Sequence, residues 1–379
     1  MTGRRVVGVL GASGAVGRAA VRELRDLGHT ALRLGGRRVD ALREVNDSAG
    51  DVVRTDVEDP RSLAAFAGGC DVVLNCAGPT YRLRATVASA ALAAGAHCVD
   101  VAGDDPAAED LLAAGDPAEN GKIVVLSAGA LPGLSSILPR WLARQGLDEV
   151  SALTAHCGGL EFCSPTVAVD LMLSLTSGGA DGAAYGEPLA AVRAGRRASR
   201  ALRAAEDAEA PGFPGRVAVQ PYLSGETERL AARLGLDRVD WFNVHPGPQV
   251  YALLNLLPAR LAAGEDMDGL ARRLILAAEL DLAGRTPYYV LDFRMSGTAG
   301  GEPAERRLTV RTASSYRLTA AVGALAVDAV LRGTVPPGVH FACDVLDPGV
   351  VAGRIRSGGA ADRFELSGGS HDLVEEGVL

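Results

Sequence analysis

Val6-Val-Gly-Val-Leu10 runs directly into Gly11-Ala-Ser-Gly14-Ala-Val-Gly17. A short apolar strand, a glycine turn and a helix start together form the arrangement that holds a dinucleotide pyrophosphate. The first glycine permits the sharp turn, the second lets backbone approach phosphate, and the third packs helix against strand. Unpaired N–H groups and the positive dipole end at the helix start favour an anion there. Val16, Ala20, Leu24 and Leu27 fall on one helical face, and Gly28 stands where a C-cap belongs. The pattern predicts a nucleotide site formed by Gly11, Ser13, Gly14, Ala15, Val16 and Gly17.

The same alternation continues beyond this unit. Strands are expected at Thr30–Leu34, Asp51–Arg54, Asp71–Asn75, His97–Val99 and Ile123–Leu126. Helices are expected at about Val39–Asn46, Pro60–Phe66, Leu83–Ala94 and Ala107–Ala114. The fold class is therefore α/β, with a Rossmann-type doubly wound parallel sheet over residues 1–128. Leu131-Pro-Gly-Leu-Ser-Ser136 reads as a hinge-like turn, after which an α+β substrate or dimerisation domain is expected over 129–312. Ser177–Gly215 reads as loops around one arginine-rich helix, and Pro287–Ser296 with Glu305–Thr312 as the arms of a hairpin. Helices are expected at Gln249–Ala263, Asp268–Ala283 and Leu318–Leu331, the C-terminal helix and tail of 313–379 packing back on the first domain.

Composition narrows the partners. A chain of 379 residues with 48% hydrophobic and 22% charged residues can form two ordinary cores. A net charge of −8 argues against a nucleic-acid partner. No apolar run approaches the length of a membrane span, and Met-Thr-Gly-Arg-Arg leads at once into the first strand. Cysteines 70, 76, 98, 157, 163 and 343 lack metal-finger spacing. A cytoplasmic protein with reduced thiols, no bound metal and a small-molecule substrate is expected. The hairpin and long apolar helices of the second domain suggest a homodimer.

The end of the second strand distinguishes the two dinucleotides. An acidic residue there binds the ribose hydroxyls of NAD, whereas a basic one accommodates the 2′-phosphate of NADP. This chain has Leu34-Gly-Gly-Arg37-Arg38, with no carboxylate until Asp40. Arg37 or Arg38 can pair with a phosphate bidentately, with Ser13 adding a hydroxyl, so NADPH is favoured over NADH. Asp56 can receive the adenine amino group or serve as a cap near Asp59-Pro60. Asn75, Ala77, Gly78 and Pro79 close the fourth strand, where small residues let ribose and nicotinamide approach the backbone.

With GASGAVG at 11–17, LGGRR at 34–38, DVVLNCAGPTY at 71–81, AGAHCVDVAGD at 94–104, AGALPGLSS at 128–136 and SYRLTA at 315–320, the chain resembles the saccharopine dehydrogenase-like reductases. The resemblance implies a nicotinamide-binding Rossmann domain followed by a substrate and dimerisation domain. It also implies hydride transfer at a carbon–nitrogen bond, although proteins of this kind include enoyl reductases. Fold-level likeness does not fix the reaction.

Catalytic candidates belong at the carboxyl ends of strands. Tyr81 can donate a hydrogen bond to substrate or serve as an aromatic lid. Asp100 and Asp104 can orient a protonated amine or relay a proton, with helix capping ahead of Pro106 as the alternative for Asp104 and Asp105. His156, close to Cys157 and Glu161, suits general acid work, against a structural role in its strand. His245 is a turn residue first, and Arg317 is either a carboxylate clamp or a solvent-facing charge. The Tyr and Lys four apart of short-chain ketone reductases are absent, since Ala85, Leu189 and Ala320 follow Tyr81, Tyr185 and Tyr316 at that spacing. An imine reductase, an enoyl or keto reductase of specialised metabolism, and a non-catalytic NADP(H) sensor all remain open.

Overall fold

The computed structural model describes residues 5–46, 50–176 and 185–368. The contacts divide the chain into two compact units, residues 1–134 with 316–351, and residues 135–315 with 352–379.

In the first unit the expected alternation forms β1 (Val7–Leu10), α1 (Ala15–Asp26), β2 (Leu32–Gly36), α2 (Val39–Val45), β3 (Asp51–Arg54), α3 (Pro60–Ala67) and β4 (Val72–Asn75). It continues through α4 (Thr80–Leu83), α5 (Thr86–Ala93), β5 (His97–Asp100), α6 (Asp105–Ala114) and β6 (Ile123–Leu126). The single helix expected over Leu83–Ala94 is broken, because Arg84 takes φ +44° and ends α4 before α5 begins. Four-residue strands such as Val72-Val-Leu-Asn75 are buried along their whole length, as parallel strands covered on both faces must be.

The second unit opens with α7 (Leu134–Leu142), β7 (Glu149–Leu160), α8 (Pro165–Thr176), β8 (Gly186–Pro188), β9 (Ala191–Arg193), β10 (Arg196–Ala198), β11 (Ala205–Glu209) and β12 (Arg216–Ser224). It continues with α9 (Gly225–Leu234), β13 (Arg238–His245), α10 (Pro248–Ala262), α11 (Met267–Leu282), β14 (Tyr288–Ala299) and β15 (Glu302–Thr312). The arginine-rich stretch is not a helix among the described residues. Ala194 and Gly195 both take positive φ, 49° and 71°, and so close a two-residue hairpin between β9 and β10. The hairpin expected near the end of the domain is present as β14 and β15, paired from Tyr289↔Thr312 to Ala299↔Glu302.

The chain then returns as α12 (Ser315–Leu331), β16 (Gly338–Phe341), α13 (Ala342–Val345), α14 (Pro348–Ser357) and β17 (Arg363–Ser367). Residues 316–351 complete the first unit, where β16 adds to β6 in a seven-stranded parallel sheet of order β16-β6-β5-β4-β1-β2-β3. Gly323 of α12 fits this role. A methyl group there would stand 3.0 Å from Val101 and 3.2 Å from Leu74, so the small residue lets helix and sheet meet closely. The tail departs from expectation, since β17 pairs antiparallel with β15 and joins the ten-stranded mixed sheet of the second unit. No helix among the described residues is long and apolar enough to cross a membrane.

Candidate active site

In an open parallel sheet, ligands sit at the carboxyl ends of the strands where strand order reverses. Here that point lies between β1 and β4, which flank each other while β1 also pairs with β2. The glycine turn follows β1 and the Asn75–Pro79 turn follows β4, so the sheet brings both to one crevice.

The three glycines have three separate physical reasons. Gly11 takes φ +76°, and a Cβ on it would stand 2.8 Å from the Cys76 carbonyl oxygen and 2.9 Å from the Ala77 nitrogen. It therefore admits both the turn and the close approach of the β4 turn. A Cβ on Gly17 would stand 2.2 Å from the Gly11 carbonyl oxygen, so only glycine lets α1 lie this near β1. Gly14 is exposed, and a Cβ on it would meet only the Gly11 carbonyl oxygen, at 3.2 Å. Gly14 is also the N-cap of α1 with no side-chain cap, and the first turn holds no acidic residue. The amides of Ala15 and Val16 thus begin a helix whose end is open to an anion. Arg18 braces the turn, its Nε donating to the Ser13 carbonyl at 3.0 Å and its Nη2 to Glu44 at 3.1 Å.

Arg37 and Arg38 follow β2 and are both exposed, with Arg38 as the N-cap of α2. Neither pairs with a carboxylate among the described residues. The Ser13 hydroxyl lies nearby, 3.7 Å from where a Cβ on Gly36 would stand. Ser13 and the two arginines thus share the carboxyl end of β2. Asp56 makes a local turn in which its Oδ1 accepts the Glu58 amide at 3.1 Å, and Asp59 caps α3 instead.

Asn75 and Asp100 stand opposite each other at the ends of β4 and β5, 2% and 3% exposed. Asn75 Nδ2 donates to Asp100 Oδ2 at 2.7 Å, and Asn75 Oδ1 accepts the Ala77 amide at 3.0 Å. Asp100 Oδ1 accepts the Ala102 amide at 2.9 Å. Burial pushes Asp100 up to about 6, against the pull of these bonds. The next turns are tied in the same way. Thr80 Oγ1 accepts the Gly103 amide at 3.3 Å, and Ser127 Oγ donates to the Gly103 carbonyl at 2.8 Å. Ser127 pays for its place with φ +55°, a strained conformation of the kind that clusters at functional edges.

Asp104 starts α6 half-buried, and burial followed by the charge of Asp105 raises it to about 7. Tyr81 is half-buried in α4, just past Gly78 and Pro79. Arg317 lies in the first unit, in α12, whereas His156 and His245 lie in the second. His156 is stacked on Phe242 with ring centroids 4.9 Å apart, and burial, then Arg294 and Arg307, press it down to about 4. It is neutral at pH 7, which suits a hydrogen-bonding group better than a general acid. Burial likewise holds His245 near 4. Glu161 accepts the Ser315 amide at 2.7 Å, which fixes the start of α12. The sequence does not single out Arg18, Thr80 and Ser127, which tie the turn to Glu44 and the neighbouring turns to Gly103, partners 23 to 26 residues away. That Asn75 and Asp100 meet follows from the parallel register of β4 and β5 and carries no signal in the sequence.

Residues 7–125 match the family described as saccharopine dehydrogenase NADP binding domain. The chain is similar to the saccharopine dehydrogenase (L-Glu forming) of Saccharomyces cerevisiae, with 15% identity, a TM-score of 0.68, and coverage of 97% of this chain and 100% of that one. A Rossmann-fold NAD(P)-binding family protein of Shigella flexneri matches with 20% identity and a TM-score of 0.26, over 32% of this chain and 66% of that one. A short-chain dehydrogenase/reductase of Veillonella parvula in complex with NADP matches with 19% identity and a TM-score of 0.24, over 26% of this chain and 47% of that one. The open, carboxylate-free helix start beside two unpaired arginines agrees with the family's NADP. Residues 7–125 thus carry the saccharopine dehydrogenase NADP-binding domain, and the chain as a whole shares the fold of a saccharopine dehydrogenase.

Proposed function

We propose that the enzyme uses NADPH to reduce a carbon–nitrogen double bond, or a similarly activated one, in a small metabolite. The observation that carries this reading is one sheet edge that offers both an open anion site at Gly14 and an acid raised to about 7 at Asp104. An imine accepts hydride most readily when its nitrogen is protonated, and an acid of that strength exchanges a proton at neutral pH. In this reading Gly11, Gly14, Ala15, Val16 and Gly17 hold the pyrophosphate, Arg37, Arg38 and Ser13 hold the 2′-phosphate, and Asp56 lies at the adenine end. The Asn75–Pro79 turn supports the nicotinamide ribose. When bound, NADPH supplies the hydride. Tyr81 and Asp104 orient the substrate and supply its proton. A homodimer fits the apolar side chains that α10 and α11 leave outside, Leu256, Leu276 and Leu280 at 50%, 55% and 59% exposure.

The test is NADPH consumption by purified enzyme on cyclic and open-chain imines, enoyl thioesters and ketones between pH 6 and 8. Turnover on imines, reduced at least tenfold by Asp104→Asn, is expected. Turnover on enoyl or keto substrates alone would replace this reading with a reductase of those bonds. Tight NADPH binding with no turnover on any of them would favour a redox sensor.

A further inference from the structure

We infer that the Asn75–Asp100 pair is a positioning device that locks the β4 turn beneath the cofactor, and that Asp100 itself takes no part in proton transfer. The inference rests on the NADPH-binding reading of the crevice. Three hydrogen bonds form one continuous relay: the Ala102 amide to Asp100, Asn75 Nδ2 to Asp100, and the Ala77 amide to Asn75 Oδ1. Both Asp100 oxygens are engaged and the side chain is 3% exposed, so no oxygen is presented to a ligand. The far end of the relay holds Ala77, whose nitrogen sits 2.9 Å from the position a Cβ on Gly11 would take. Whatever releases Ala77 therefore shifts the backbone that abuts the glycine turn.

The relay has a polarity that can be tested. Asp100 must accept twice, because both of its partners are donors. An amide at position 100 turns an NH2 toward either Asn75 Nδ2 or the Ala102 amide, whichever way it rotates. Asn75 can relieve the first clash only by flipping, which sets its own NH2 against the Ala77 amide. The exchanged pair, Asn75→Asp with Asp100→Asn, restores all three bonds. The Ala77 amide then donates to a carboxylate at 75, the amide at 100 donates to the same carboxylate, and its oxygen accepts from Ala102. A buried donor left without an acceptor is destabilising, which is why the polarity matters.

The experiment measures dissociation constants for NADPH and NADH, with thermal unfolding of the cofactor-free full chain, for wild type, Asp100→Asn and the exchanged double variant. Asp100→Asn is expected to weaken both cofactors alike by at least tenfold and leave their ratio unchanged. The double variant is expected to recover to within threefold of wild type. Unchanged affinity in Asp100→Asn would overturn the inference. So would a double variant that regains its melting temperature but not its affinity, since the pair would then serve only the fold. Where the single variant does not fold, the double variant decides alone, and its failure to fold or to bind overturns the inference. Wild-type protein that binds neither cofactor would instead refute the reading on which the inference rests.

Discussion

Gly14→Ala and Gly17→Ala add the same methyl group three residues apart, yet they should fail in different ways. At Gly17 the new Cβ would stand 2.2 Å from the Gly11 carbonyl oxygen and 2.6 Å from the Ala12 Cα, both backbone atoms. Relief requires α1 to move by about an ångström away from β1, and overpacking of this kind costs about 1–3 kcal/mol. Better helix propensity returns up to about 1 kcal/mol, so a net loss of stability is expected without any cofactor. At Gly14 the methyl meets a single protein atom, at 3.2 Å, in the turn to which the proposed reading assigns the phosphate. Loss of an alanine-disfavoured N-cap costs only about 0.5–1 kcal/mol. Cofactor affinity should suffer far more, because a hydrogen bond to a charged group is worth about 1.5–3 kcal/mol, or roughly ten- to hundredfold in Kd for the first one lost. Thermal unfolding with and without NADPH, beside a fluorescence titration, separates the two. Gly14→Ala should melt near wild type without cofactor and gain little from it, whereas Gly17→Ala should melt lower in both conditions. A Gly14→Ala protein that binds NADPH like wild type would refute the assignment of this turn to phosphate.

Other expectations follow from the same geometry. Arg37→Ala with Arg38→Ala should weaken NADPH at least tenfold and leave NADH within twofold, because about 1.5–3 kcal/mol is lost with each charged bond; equal effects on both would detach these arginines from the 2′-phosphate. His245 titrates near 4 in the fold against 6.5 outside it, so its contribution is full above pH 6.5 and is lost as the pH falls toward 4. His245→Asn should flatten the loss of stability in urea over that window by up to about 3 kcal/mol. Asp104 has the opposite sign, because a pKa raised to about 7 from 3.8 stabilises below pH 3.8 and is lost as the pH rises through 7. Asp104→Asn should therefore raise the urea midpoint at pH 8 and not at pH 4. Asp281 accepts the Gln249 amide at 3.0 Å and the Val250 amide at 2.8 Å and so caps α10 from α11. Asp281→Ala should lower stability by about 1–3 kcal/mol, measured as a shifted urea midpoint, with no change in cofactor binding.

What the sequence by itself determined is local. Strand, turn and helix around Gly11–Gly17 follow from glycine spacing and a 3.6-residue apolar period, which act within one stretch of chain. The β14–β15 hairpin was legible for the same reason, its two arms being neighbours in sequence. So was the basic character of the β2 end, where two arginines stand in place of a carboxylate. The tertiary structure decided everything that depends on which segments meet. Ala191–Ala198 carries enough arginine to suggest a helix, yet Val192 pairs with Val239 of β13, and the sheet edge overrides local propensity. The tail forms a strand because β15 presents it with an open edge. Asn75 and Asp100 lie 25 residues apart, and only the parallel register of β4 and β5 sets one against the other. Burial, likewise, is set by the whole fold. It raises both Asp100 and Asp104 and presses His156 below a histidine that would titrate near neutrality, because the cost of charge depends on what surrounds a side chain.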